Sequence, residues 1–355
     1  MAELLEKHDR TRFEIFGFAF SPAWQDAMRQ RLLKSFDHWI DVKMLTDEAA
    51  AHTARDLEID IAVDLKGYTR DARPTIFAMR PAPIQVNYLG FPGTMGAPYI
   101  DYIIADHTLI PRQHISGYTE KIVFLPHSYQ PNDTQRKIAQ DPPSRAEAGL
   151  PEEGFVFCCF NNSFKITPDL FDVWMRLLRA TKTSVLWLLA RHASASVNLR
   201  REAQRRGVDP ARLVFAPKLP LPEHLARHRL ADLFLDTWHC NAHTTASDAL
   251  WAGLPVLTCP GETFASRVAA SLLNAVGLPE LIAKSPADYE AFALRLSEER
   301  TALAAIREKL ASNRLTHPLF DSDLYTCHLE AAYAAMWRRH QDGQSPDHID
   351  VANLV

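Results

Sequence analysis

The sequence predicts an α/β protein made of two Rossmann-like, doubly wound domains that face each other across a cleft. Three observations carry that expectation. A chain of 355 residues exceeds what one hydrophobic core ordinarily serves, so two domains are the default. Short, continuously apolar runs alternate with longer amphipathic ones, the pattern of parallel strands covered by helices on both faces. A stretch rich in Pro and charge, QPNDTQRKIAQDPPSRAEAGLPEEG (130–154), interrupts the alternation near its middle.

Strand-like runs in the first half occupy 12–20, 38–42, 59–65, 84–90, 99–106 and 121–126. In the second half they occupy 155–160, 184–190, 212–217, 231–236 and 254–258. Helical periodicity fills most gaps, as in PDLFDVWMRLLRAT (168–181) and EHLARHRLA (223–231). The expected domains are 1–150 and 151–320, with a C-terminal helix over 321–345 reaching back toward the first. No repeat of fixed period is present, which argues against a solenoid.

The composition is that of an ordinary globular protein, 47% apolar and 23% charged, and the net charge of −4 offers no basic surplus for nucleic acid or an anionic membrane. Five cysteines at 158, 159, 240, 259 and 327 form an odd, irregularly spaced set. Reduced, mostly buried thiols fit better than a disulfide framework. The opening MAELLEKHDR lacks a secretory apolar core, and no 18 apolar residues run together. A cytoplasmic protein without a membrane span is expected.

Ligands of open α/β sheets bind beyond the carboxyl ends of the strands. There the sequence places CNAHTTASDALWAG (240–253), a loop entering a helix. A helix start offers unpaired N–H groups and partial positive charge to a phosphate, and His243, Thr244 and Thr245 add side-chain donors. The competing reading is local, with Thr245 and Asp248 forming a capping box, and the two readings are compatible. CFNNSFKITPDLF (159–171) repeats the geometry after the first strand of the second half, with Pro168 suited to a first helical turn. Lys165 is the one cation of that turn, placed to neutralise charge on a departing phosphate, where an exposed loop lysine is the alternative. YLGFPGTMGAP (88–98) is either a tight turn or a backbone loop that a sugar or peptide approaches closely.

For metal, His224, His228, His239, Cys240 and His243 lack zinc-site spacing. Asp321-Ser322-Asp323 precedes a long helix and is read as its cap. No metal site and no cofactor are expected.

These residues carry a resemblance. RPAPIQVNYLGFPGTMGAPYIDYIIAD, CCFNNSFKITP, SVLWLL and ADLFLDTWHCNAHTTASDALWAGLPVLTCPGETFASRVAASLL resemble the catalytic region of O-linked N-acetylglucosamine transferases over roughly residues 12 to 340. The resemblance implies a GT-B fold. It also implies inverting, metal-independent transfer of N-acetylglucosamine from UDP-GlcNAc to protein Ser or Thr hydroxyls. The implied partners are therefore a UDP-sugar donor and a protein or peptide acceptor.

Residue by residue, the resemblance makes Lys165 the stabiliser of leaving UDP and His243, Thr244 and Thr245 the phosphate-binding turn. Asp248 holds the ribose, Asn162 lies near the phosphates, and His224 with Arg227 contacts uracil. Pro92, Gly93 and Thr94 form the loop facing sugar and acceptor. Phe164 stands where some members carry Tyr, and Leu221 where animal relatives carry a uridine-binding Lys.

The resemblance also implies a chain lacking the family's helical repeats, its first catalytic-domain strand and the His long proposed as base. The missing strand would leave ladder groups open on neighbours such as 12–20. His127 and Asp64, near strand ends, are candidates to replace the base, with a structural role the more ordinary reading. Alternatives are a catalytically silent nucleotide-sugar-binding scaffold, or a GT-B enzyme with another donor such as GDP-fucose or with epimerase chemistry.

Overall fold

All eleven apolar runs become strands, and every strand pairing is parallel. The structure is a computed structural model describing residues 1–20 and 26–355. It divides into two compact units, Met1–Gln135 with Pro318–Val355, and Arg136–His317.

Unit 1 contains β1 (Phe16–Ala19), β2 (His38–Asp41), β3 (Ile61–Asp64), β4 (Ile84–Asn87), β5 (Tyr102–Asp106) and β6 (Lys121–Leu125). Unit 2 contains β7 (Val156–Cys159), β8 (Val185–Leu189), β9 (Leu213–Ala216), β10 (Leu233–Leu235) and β11 (Val256–Leu257). A short β12 (Ile349–Asp350), absent from the sequence expectation, returns to unit 1 and pairs with β6. At two residues it is too short to leave a periodic signature.

The five-stranded sheet of unit 1 runs β12-β6-β5-β4-β3. Strands β4 and β5 are buried along their whole length; β5 is apolar up to its terminal Asp106, whereas β4 buries Gln85 and Asn87, whose side-chain amides donate to the Phe77 and Gly93 carbonyls. Strands β1 and β2 form a separate parallel pair, in register from Phe16 opposite His38 to Ala19 opposite Asp41. The five-stranded sheet therefore ends at β3, and β1 has β2 as its one strand neighbour among the described residues.

Unit 2 carries a sheet of order β11-β10-β7-β8-β9. Winding starts at β7, proceeds outward through β8 and β9, then returns to β10 on the other side. The switch point lies between β7 and β10, the place where open α/β sheets bind ligands.

The chain leaves unit 1 at Gln135 rather than near residue 150, and the reason is local bonding. Arg136 pairs with Asp248, and the Ala139 N–H donates to the Pro222 carbonyl, so the connecting segment is already part of unit 2. The return to unit 1 falls at Pro318: Asn132 Nδ2 donates to the Leu319 carbonyl at 3.0 Å, and Ser322 Oγ to the Asn132 carbonyl at 3.0 Å. Asp321 caps the helix Ser322–Gln341 by accepting the Leu324 N–H at 2.9 Å. No described helix is long and apolar enough to cross a membrane.

Candidate functional site

Two loops leave the carboxyl ends of the neighbouring strands β7 and β10. The loop after β10 is braced from beneath by Asp236, which is fully buried. Its Oδ1 accepts the N–H of Thr237 at 2.7 Å and of Ala242 at 2.6 Å, and its Oδ2 accepts the Thr258 hydroxyl at 2.7 Å. Burial pushes this carboxyl up to about 6, outweighing the donors that favour its charged form. Asn161 Nδ2 ties the first loop to the second by donating to Thr237 Oγ1 at 2.9 Å. Asn241 Nδ2 donates to the Thr237 carbonyl at 2.6 Å. The sequence reading passed over these braces, although a polar LDT ending the apolar strand 231–236 was their available signal.

Above the brace, the helix Thr244–Trp251 opens with His243 at the capping position and no side-chain cap. The N–H groups of His243, Thr244 and Thr245 find no acceptor among the described residues. Three consecutive amides thus stand without a protein acceptor among the described residues at a helix start, an arrangement suited to an anion. The capping box expected of Thr245 and Asp248 does not form, because the helix begins before Thr245. Thr245 instead donates its hydroxyl to Asn161 Oδ1 at 2.6 Å, and Asp248 is paired with Arg136.

The side-chain donors expected here are correspondingly fewer. His243 Nε2 lies 3.1 Å from the Ala265 carbonyl, and burial with nearby Lys165 pushes its ring down to about 4. A neutral ring spends its single N–H on that carbonyl. His243 therefore contributes its amide, Thr245 braces Asn161, and Thr244 is exposed with its hydroxyl uncommitted among the described residues.

Lys165 closes the short turn Ser163–Lys165 after β7, and its Nζ donates to the Asn241 carbonyl at 2.6 Å. This holds the ammonium over the loop that carries the three amides. Asn162 accepts from the guanidinium of Arg191, an exposed side chain just past β8. Arg191 is a second cation on this rim that the sequence reading missed, since only the pairing of β7 with β8 brings it to Asn162.

His224 and Arg227 lie on the helix Leu221–Arg227. Burial and then the charge of Arg227 push His224 down to about 4, so its Nδ1 accepts from Arg227 Nη2 at 2.5 Å. Arg227 is only 1% exposed and its Nη1 donates to the Pro217 carbonyl at 2.6 Å. Its guanidinium lies 4.4 Å from the centre of the Phe160 ring. Arg227 thus sits behind His224 and fixes it, while half-buried His224 keeps a surface.

In unit 1 the loop after β4 is rigidly held. Asn87 Nδ2 donates to the Gly93 carbonyl at 2.9 Å, and Thr94 Oγ1 to Glu120 Oε2 at 2.5 Å. Pro92 lies between them, half-buried. Gly90 cannot carry a side chain, because a Cβ would lie 2.0 Å from the Leu65 carbonyl oxygen. Of the two candidate bases, Asp64 is occupied in a turn, accepting the N–H groups of Lys66 and Gly67. His127 is exposed and lies beside His328, the ring centres 5.5 Å apart and the planes tilted by 46°.

Open amides at a helix start beside a fixed ammonium, at the switch point of a parallel sheet, form an arrangement suited to an anion. Two such α/β sheets in one chain place it in the GT-B class of glycosyltransferases. The chain belongs to glycosyl transferase family 41, whose model matches residues 1–141 and 139–329.

It is 41% identical to a probable UDP-N-acetylglucosamine–peptide N-acetylglucosaminyltransferase of Arabidopsis thaliana, over 99% of this chain and 36% of the relative. It is 30% identical to a UDP-N-acetylglucosamine–peptide N-acetylglucosaminyltransferase of Caenorhabditis elegans, over 96% of this chain and 39% of the relative. Among solved structures, a mutant of the Thermobaculum terrenum O-GlcNAc transferase matches with a TM-score of 0.87 at 35% identity, covering 95% of this chain and 64% of that one. An Anabaena protein solved with UDP and glucose shares the fold at a TM-score of 0.62 and 12% identity, over 93% of this chain and 94% of that one. The chain spans little more than a third of the length of these curated relatives.

Proposed function

We propose that this chain transfers N-acetylglucosamine from UDP-GlcNAc to Ser or Thr hydroxyls of a protein or peptide, with inversion and without a metal. The observation that carries the reading is the set of three open amides at His243–Thr245 beside the Lys165 ammonium. A diphosphate seated there meets backbone N–H groups and one fixed cation, a preorganised set that needs no reorganisation as charge builds on leaving UDP. Inversion follows from direct attack by the acceptor hydroxyl opposite the departing phosphate. Asp248 and His224 serve the nucleoside, with Arg227 setting the His224 ring.

The test separates binding from turnover. Lys165→Ala is expected to lower kcat for transfer from UDP-GlcNAc to an acceptor peptide by about 10²–10³ while UDP affinity falls about tenfold or less. Activity is expected to survive EDTA. An unchanged kcat in Lys165→Ala refutes the role given to the ammonium. A second reading, a UDP-sugar-binding protein without turnover, is favoured by the occupied state of Asp64, one of the two candidate bases. UDP binding with no transfer or hydrolysis of UDP-GlcNAc is its signature.

A further inference from the structure

Arg136 is the first residue of unit 2 and belongs to none of the motifs above. Its side chain is only 10% exposed, and Nη1 lies 2.5 Å from Asp248 Oδ1 on a side chain 9% exposed. The guanidinium sits 5.7 Å from the centre of the Trp251 ring, and Trp251 Nε1 donates to the Arg136 carbonyl at 3.1 Å. Three residues on, the Ala139 N–H donates to the Pro222 carbonyl at 3.1 Å, in the first turn of the helix bearing His224. The segment 136–139 is therefore a strap across both helices that carry the proposed nucleoside contacts.

The pairing leaves an asymmetric carboxylate. Oδ1 of Asp248 is committed to Arg136, while no hydrogen bond reaches Oδ2 among the described residues. A buried carboxyl without a counter-charge takes up a proton and becomes a donor. Burial raises Asp248, and the charge and hydrogen bond of Arg136 oppose that rise.

We propose that Arg136 is a positioning residue of the nucleoside site, fixing Asp248 through Oδ1 so that Oδ2 accepts a ribose hydroxyl of the uridine nucleotide. This rests on the reading of Asp248 as the ribose contact. It explains why a charged side chain from the connecting segment is buried against a helix whose one carboxylate, Asp248, is itself buried. Arg suits the task better than Lys, because its planar fork orients a carboxylate as well as neutralising it.

Calorimetric titration with UDP, 2′-deoxy-UDP and 3′-deoxy-UDP tests the proposal on the wild type, Arg136→Ala, Arg136→Lys and Asp248→Asn. In Arg136→Ala, UDP binding is expected to weaken by about tenfold or more, the scale of a charge-assisted hydrogen bond. Binding of the analogue that lacks the hydroxyl held by Asp248 should stay within about twofold of the wild type, since that contact is already absent. Arg136→Lys should recover part of the loss, and Asp248→Asn combined with Arg136→Ala should lose no more than either alone.

Equal weakening for UDP and both analogues overturns the proposal, because a strap that merely supports the fold acts on all three alike. Unchanged UDP binding in Arg136→Ala overturns it too, and leaves the donor site standing. A wild type that binds no UDP removes the donor reading itself, and the strap with it. Should Arg136→Ala fail to fold by thermal melting, Arg136→Lys supplies the same comparison with the charge retained.

Discussion

Asp236 is the brace on which the open amides depend, and its removal has a calculable cost. In Asp236→Ala, the N–H groups of Thr237 and Ala242 and the hydroxyl of Thr258 lose their acceptor inside the protein. Each buried donor left unpaired costs about 1–3 kcal/mol, so three amount to roughly 3–6 kcal/mol after partial relaxation. In a domain of this size each kcal/mol moves Tm by about 2–4 °C, and a fall of about 6–24 °C is expected. Asp236→Asn keeps one acceptor oxygen and is expected to lose about half as much.

The pH dependence has a definite sign. With its folded carboxyl held at about 6, Asp236 binds a proton at higher pH in the folded than in the unfolded chain. The proton-linked part of its contribution to stability therefore grows as pH falls from about 6 toward 4, by on the order of 2–3 kcal/mol, and is absent at neutral pH and above, where the bracing hydrogen bonds remain. Melting curves of wild type and Asp236→Asn from pH 7 to 4 should diverge in favour of the wild type on acidification. Calorimetry at pH 7.5 should show UDP binding weakened at least about tenfold in Asp236→Ala, as the loop loses its fixed form. An Asp236→Ala protein that melts within 2 °C of the wild type and binds UDP equally well would falsify the bracing argument.

Two further outcomes follow from the same geometry. Gly90→Ala forces a Cβ against the Leu65 carbonyl, a backbone contact that cannot swing away, and should cost about 1–3 kcal/mol by thermal or urea denaturation. Arg191→Gln should weaken UDP binding by about three- to tenfold at low salt and leave uridine binding unchanged. The gap to wild type should shrink as salt screens this exposed charge.

The strands were legible because parallel sheets covered on both faces demand unbroken apolar runs, and each of the eleven runs became a strand. The helix start near 244 was equally legible from small polar residues ahead of an apolar stretch. What the pattern could not show is which partner each polar group takes. Thr245 and Asp248 have capping-box spacing, yet their partners are Asn161 and Arg136, 84 and 112 residues away in sequence. Arg227 lies in a helical run rich in His and Arg, and nothing in the periodicity marks it as the buried member of the set. Arg136 falls in the segment whose Pro and charge content marked it as a linker, because composition reports average solvation and not a single long-range ion pair. The last strand, β12, was too short to register.

The cradle at 243–245 is made of main chain, and this has a consequence for descendants of the molecule. Amides survive almost any exchange of the side chains they carry, so, on the function proposed above, a duplicate that lost Lys165 would keep its grip on a sugar nucleotide while ceasing to consume it. On the proposed reading, such a silent copy becomes a reservoir for the donor. Retention of nucleotide then certifies an intact second unit, and product formation alone certifies an enzyme.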